Sequence, residues 1–140
     1  VRIVIVGAGA IGGYVGARLC AAGADVALVA RGAHLGAMRE RGLRIESPDG
    51  DLTVTPKVTD DVASVGTADV VMLGVKASSL PALAPQLGPL LAADTVVVSM
   101  QNGLPWWYFH REGGPLGDTS LASLDPDGAL SRTLPPDRVI

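Results

Sequence analysis

Val1-Arg2-Ile3-Val4-Ile5-Val6-Gly7-Ala8-Gly9-Ala10-Ile11-Gly12 decides the architecture of this chain. The β-branched run up to Val6 has no polar alternation, the pattern of a parallel strand covered on both faces. Glycine ends it. From Ile11 to Ala22 the spacing turns helical, with Ile11, Val15, Leu19 and Ala22 on one side and Gly23 as the carboxyl-terminal cap. Between strand and helix stands G-x-G-x-x-G, in which each glycine serves a separate purpose. Gly7 permits the tight turn, Gly9 the close approach of backbone to a pyrophosphate, and Gly12 the packing of helix on strand. The N–H groups at the helix start, aided by the helix dipole, then face an anion. Gly7, Ala8, Gly9, Ala10, Ile11 and Gly12 are therefore candidate cofactor-binding residues, whereas Gly13 and Gly16 read as packing positions.

Outward from this turn, a second strand is expected at Asp25 to Ala30 and a short helix at Gly32 to Arg41. Leu43 to Thr55 alternates with period two around Pro48-Asp49-Gly50, which predicts an inserted hairpin. Strands resume at Asp69 to Val75 and at Thr95 to Ser99. The helix between them is expected to start at Ser78, Ser79 and Pro81 and to bury Leu83, Leu87, Leu90 and Leu91. After Gly103 regularity fades, until Val139 and Ile140 resemble the start of another strand. The expected fold class is α/β, a Rossmann-like, doubly wound, mainly parallel sheet with an inserted β-hairpin.

The end of the second strand discriminates between dinucleotides. An NAD enzyme usually places Asp or Glu there, on the ribose 2′-hydroxyl. This chain has Arg31, and Leu28-Val29-Ala30-Arg31-Gly32 offers no competing carboxylate. A guanidinium can hold a 2′-phosphate bidentately, so NADP is expected over NAD; the competing reading is a solvated arginine at a helix start. His34 reads either as an assistant to that phosphate or as an ordinary exposed histidine.

Composition narrows the partners. One domain is expected from 140 residues, with 48% hydrophobic and 18% charged positions. No apolar stretch is long enough for a membrane span, and Val1 to Val6 lacks the parts of a signal peptide. A single cysteine, Cys20, allows no internal disulfide and suits a cytoplasmic setting. The net charge of −3 and scattered arginines argue against nucleic acid as partner.

Two further strand ends carry candidates, because ligands of open parallel sheets lie beyond the carboxyl ends of the strands. Lys76 follows Gly74-Val75, and its ammonium suits a cofactor phosphate or a substrate carboxylate if it is not simply solvated. Asn102 sits in Gln101-Asn102-Gly103, and its amide can both donate and accept toward a nicotinamide ribose and a carbonyl substrate, unless it only forms the turn.

Glycine turn, Val-Ala-Arg, Gly-Val-Lys and Gln-Asn-Gly, in that order, resemble the ketopantoate (2-dehydropantoate 2-) reductase family along essentially the whole chain. The resemblance implies that Gly7 to Gly12, Arg31 and Lys76 bind NADPH, that Asn102 touches both cofactor and substrate, and that the reaction is reduction of 2-dehydropantoate to pantoate for pantothenate and coenzyme A synthesis. It also implies that the proton donor is a lysine in a separate helical carboxyl-terminal domain, through which a homodimer could form. Residues 1–140 are accordingly expected to be a carboxyl-terminally incomplete NADP-binding domain, with no catalytic residue of its own and no turnover alone. Lys57 is not expected to substitute. Trp106 to Phe109 depart from the plain family pattern and are expected to pack against the other domain or to wall the cleft. The alternatives are another NADP-dependent reductase of a small keto or hydroxy acid, and a non-catalytic dinucleotide sensor.

Overall fold

Burial along Arg2–Val6 (β1) shows why a sheet lies at the centre of the molecule. Val4 and Val6 enter one apolar cluster and Ile5 enters another, all three essentially inaccessible to solvent. A strand apolar on both faces needs cover on both. The computed structural model describes residues 1–48 and 50–140, so Asp49 of the expected hairpin turn lies outside the described residues. After β1 come α1 (Ala10–Ala21), β2 (Asp25–Val29), α2 (Gly32–Arg41), β3 (Leu43–Ile45), β4 (Leu52–Val54), β5 (Lys57–Thr59), β6 (Ala68–Leu73), α3 (Leu80–Leu83), β7 (Leu91–Ser99) and α4 (Ala129–Thr133). Five strands pair in parallel in the order β5-β2-β1-β6-β7. α1 and α2 supply the cover for Ile5 and Leu28, while the 77–90 segment and α4 supply that for Val4, Val6 and Leu73. The expected doubly wound α/β sheet is observed.

α1 ends as expected. Gly23, at φ +84°, donates to the Cys20 carbonyl at 3.0 Å and Ala24 donates to Leu19 at 3.1 Å, the paired bonds of a Schellman cap. Its buried face differs from the apolar spacing. Gly12, Gly13, Gly16 and Ala17 are buried, while Ile11 and Ala22 are exposed and Val15 and Leu19 only half-buried. Closeness is the reason: a Cβ on Gly16 would come within 2.6 Å of Leu28 Cδ2, so small residues let the helix lie directly on the strands.

The hairpin forms as its own two-stranded antiparallel sheet, pairing Leu43 with Val54 and Ile45 with Leu52. Directly after it β5 joins the edge of β2, a strand of three residues behind Pro56 that is too short to show periodicity. The crossover from β6 to β7 is not the expected regular helix. α3 is one turn, flanked by tighter turns at Ala77–Ser79, Ala84–Gln86 and Gly88–Leu90, because Pro85 and Pro89 lack the N–H groups a helix requires. Leu87 and Leu90 are buried as expected, Leu83 is half-buried, and Leu91 opens β7 instead. β7 therefore starts earlier than expected. Its register against β6 shifts between Ala68 and Val70, where the buried Thr95 hydroxyl donates to the Ala68 carbonyl (2.6 Å) and accepts from the Ala92 N–H (2.8 Å).

Beyond Gly103 the chain is mostly turns, but α4 was not expected. Val139 bridges in parallel to Val97, and Ile140 exchanges bonds of 2.9 Å with Val97 and Ser99, so the expected strand start is seated beside β7. No described helix is long and apolar enough to cross a membrane.

Candidate functional site

Chain reversal about β1 creates the site. β2 and β5 lie on one side of β1 and β6 and β7 on the other, so the connections leaving the carboxyl ends of β1 and β6 run in opposite directions and open a crevice there. A cavity of about 430 Å³ occupies it, walled by Gly7, Ala8 and Gly9 from the glycine turn, Arg31 and His34 from the start of α2, and Asp60 after β5.

The glycine turn is held from three sides. Gly7 donates to the Val29 carbonyl (2.9 Å), Gly74 donates to the Val6 carbonyl (2.9 Å), and Gly13 donates to the Gly9 carbonyl (2.7 Å). Gly7 has φ +102°, and a Cβ there would lie 2.7 Å from the Val75 amide nitrogen. A Cβ on Gly12 would strike the Gly7 carbonyl oxygen. Gly9 is different, since a Cβ there would meet nothing within 4 Å. It faces open space at the amino end of α1, which no side chain caps.

Gly74 belongs to this construction as well, although it lies outside the G-x-G-x-x-G motif. A Cβ on it would approach the Gly7 oxygen to 2.6 Å and Gly12 Cα to 3.3 Å, so β6 contributes the floor of the turn. The signal was a glycine inside an otherwise apolar strand, which marks close backbone approach.

Arg31 is exposed on the cavity wall, and its guanidinium has no partner among the described residues. One correction applies to its surroundings. β2 offers no carboxylate, but β5 brings Asp60 to the same cavity, where Arg39 pairs with it at 3.5 Å. His34 is exposed, as one of its two readings has it, but it has a partner: its Nε2 lies 2.8 Å from the Ala8 carbonyl oxygen.

The remaining predicted residues lie elsewhere. Ala10 walls a neighbouring recess of about 300 Å³ shared with Ala8, Gly9 and His34, while Ile11 is exposed and Gly12 is buried. Lys76 is exposed just past β6, outside the cavity wall. Asn102 lines a separate recess of about 30 Å³ beside Trp106 and Ala77. Its neighbour Gln101 donates to the Val75 carbonyl (2.8 Å), tying the ends of β6 and β7 together. Lys57 opens β5 level with Ala27, the middle of β2, and lies outside the cavity wall. Trp106 is buried in the core and meets Trp107 edge-on at 4.3 Å, so the first of these aromatics packs within this domain. Among the described residues no cluster of His, Cys, Asp and Glu could hold a metal ion.

A parallel sheet in this strand order, with a glycine-opened helix start at its reversal point, defines a Rossmann-type fold. The ketopantoate reductase PanE/ApbA profile matches residues 3–105. A 2-dehydropantoate 2-reductase of Mesorhizobium japonicum is 48% identical over 99% of this chain and 43% of its own length. Another, from a Nostoc species, is 38% identical over 74% of this chain and 32% of its own. A crystal structure from Ralstonia solanacearum, assigned as a ketopantoate reductase, superposes with a TM-score of 0.92 at 43% identity, over 99% of this chain and 43% of that one. This chain belongs to the ketopantoate reductase family, and it spans less than half the length of these relatives.

Proposed function

We propose that residues 1–140 form the NADP-binding part of an enzyme that reduces 2-dehydropantoate to pantoate in pantothenate synthesis. The observation that carries this reading is the pairing, on one cavity wall, of an uncapped helix start at Gly9 with the unpartnered guanidinium of Arg31. The two sites suit the two phosphate groups of such a cofactor, and the space over Gly9 is what close approach of a pyrophosphate requires. In this reading Gly7 to Gly12 hold the pyrophosphate and Arg31 the 2′-phosphate, while Lys76 and Asn102 act from the ends of β6 and β7. Asn102 orients cofactor ribose and keto acid through its amide. The bound nicotinamide supplies the hydride. No residue of this chain is assigned the proton that completes the alcohol; Lys57, level with the middle of β2, is outside the cavity wall.

The test exchanges charge at one position. Arg31→Asp should weaken NADPH binding roughly tenfold or more, and NADH far less, because a charge-assisted contact becomes a repulsion. Fluorescence titration with both nucleotides reads this, and unchanged selectivity removes Arg31 from the reading.

A further inference from the structure

Among the described residues, His34 is the side chain of α2 that hydrogen-bonds to the glycine turn. It stands three residues after Arg31, in the first turn of α2, and its Nε2 reaches the carbonyl oxygen of Ala8 at 2.8 Å. A carbonyl can only accept, so Nε2 carries the proton and the ring is the donor. The same residue lines the 430 Å³ cavity and two neighbouring recesses of about 330 and 300 Å³.

Resting on the cofactor reading above, we propose that His34 is a positioning residue that aims the Gly9 N–H at the dinucleotide. Ala8 C=O and Gly9 N–H belong to one planar trans peptide and point in opposite directions. Holding the carbonyl therefore orients the N–H. On its far side that peptide meets Gly9, which has no Cβ and nothing within 4 Å of where one would be, so packing on the Gly9 side does not hold the plane. The bond from His34 does so from outside. It also ties the pyrophosphate turn to the helix that carries Arg31, so the two phosphate sites keep one spacing.

Positioning and direct phosphate contact predict different selectivities. The Gly9 N–H would serve the pyrophosphate, which NADPH and NADH share, whereas a contact to the 2′-phosphate would serve NADPH alone. In the full chain, His34→Ala should weaken both nucleotides by the same factor, roughly three- to tenfold, with their ratio unchanged. His34→Gln, whose amide N–H can reach the same carbonyl, should restore wild-type affinity, and the shorter His34→Asn should not. If His34→Ala does not fold, the Gln and Asn variants carry the test by themselves. Loss of NADPH affinity alone, equal affinity of the Gln and Asn variants, or unaltered binding in all three would overturn the proposal. Failure of the wild-type chain to bind either nucleotide would instead sink the cofactor reading on which it rests.

Discussion

Residues 1–42 and residues 104–140 flank the same sheet but are built by different rules. The first segment is held by backbone regularity: β1, α1, β2 and α2 follow one another with hardly an irregular residue, and glycines stand where main chains touch. The second is held by short backbone turns and by side chains reaching main chain or one another across irregular spacings. Asp125 accepts from the N–H groups of Leu130 and Ser131 and from the Ser131 hydroxyl, Arg138 donates to the Ala92 carbonyl at 2.7 Å, and His110 lies 3.1 Å from Asp137 and 3.4 Å from Asp118. Periodicity describes the first kind of construction and is blind to the second. If the distinction is sound, substitutions in the first segment should act through backbone distance, and those in the second through lost acceptors.

Gly12→Ala should show the largest effect. The new methyl has no room against the Gly7 carbonyl, and the obstacle is backbone rather than the end of a flexible side chain. We expect a loss of about 3 kcal/mol in stability by denaturant unfolding, together with loss of nucleotide binding. A variant as stable as wild type would mean that α1 can slide on β1, and the close-packing account would fail.

Asp125→Ala should come second, at about 1–2 kcal/mol, since it strips the acceptor from the start of α4 and leaves a buried N–H at Leu130 without a partner. The same carboxyl gives a pH signature. Burial pushes its pKa up, but the bonds from Ser131 and Leu130 and the charge of Arg132 outweigh that and hold it below the ordinary carboxylate value. A depressed folded-state pKa means that the stabilisation is complete above the unfolded carboxyl's pKa and is lost as pH falls through the lower folded value. Wild type should therefore lose part of its advantage over Asp125→Asn on acidification, and parallel stability curves for the two would refute the capping role.

The same division explains what could be read from sequence. The glycine turn, α2 and the central strands were legible because strand and helix periods switch sharply around Gly7, Gly23 and Gly42. β5 escaped because Lys57–Thr59 is a short edge strand whose pairing is set by β2 and not by its own pattern. α4 escaped because its cap, Asp125, stands several residues before its first turn. Leucine spacing in the 77–90 segment suggested a helix and located the buried side chains, but prolines decided the backbone. At the site, Arg31 could be placed from its strand end alone. Asp60 could not, because it arrives from a strand the pattern hides, and for His34 the sequence offered a phosphate role but not the contact with the Ala8 carbonyl.

Gly9→Ala should have the smallest effect on stability and separates folding from binding most cleanly. Gly9 has φ −70° and ψ −165°, a conformation alanine adopts without strain, and its Cβ would project into open space. Stability should stay within about 0.5 kcal/mol of wild type, as for an exposed position without special contacts. Affinity for NADPH should nevertheless fall, because the methyl would stand where the pyrophosphate approaches. Gly12 and Gly9 share one motif, yet Gly12 is needed by the protein against itself, whereas Gly9, on the proposed reading, is needed against the ligand. Thermal unfolding and nucleotide titration of the Gly9→Ala variant read these two needs separately, and equal nucleotide affinity in variant and wild type would move the pyrophosphate away from the start of α1.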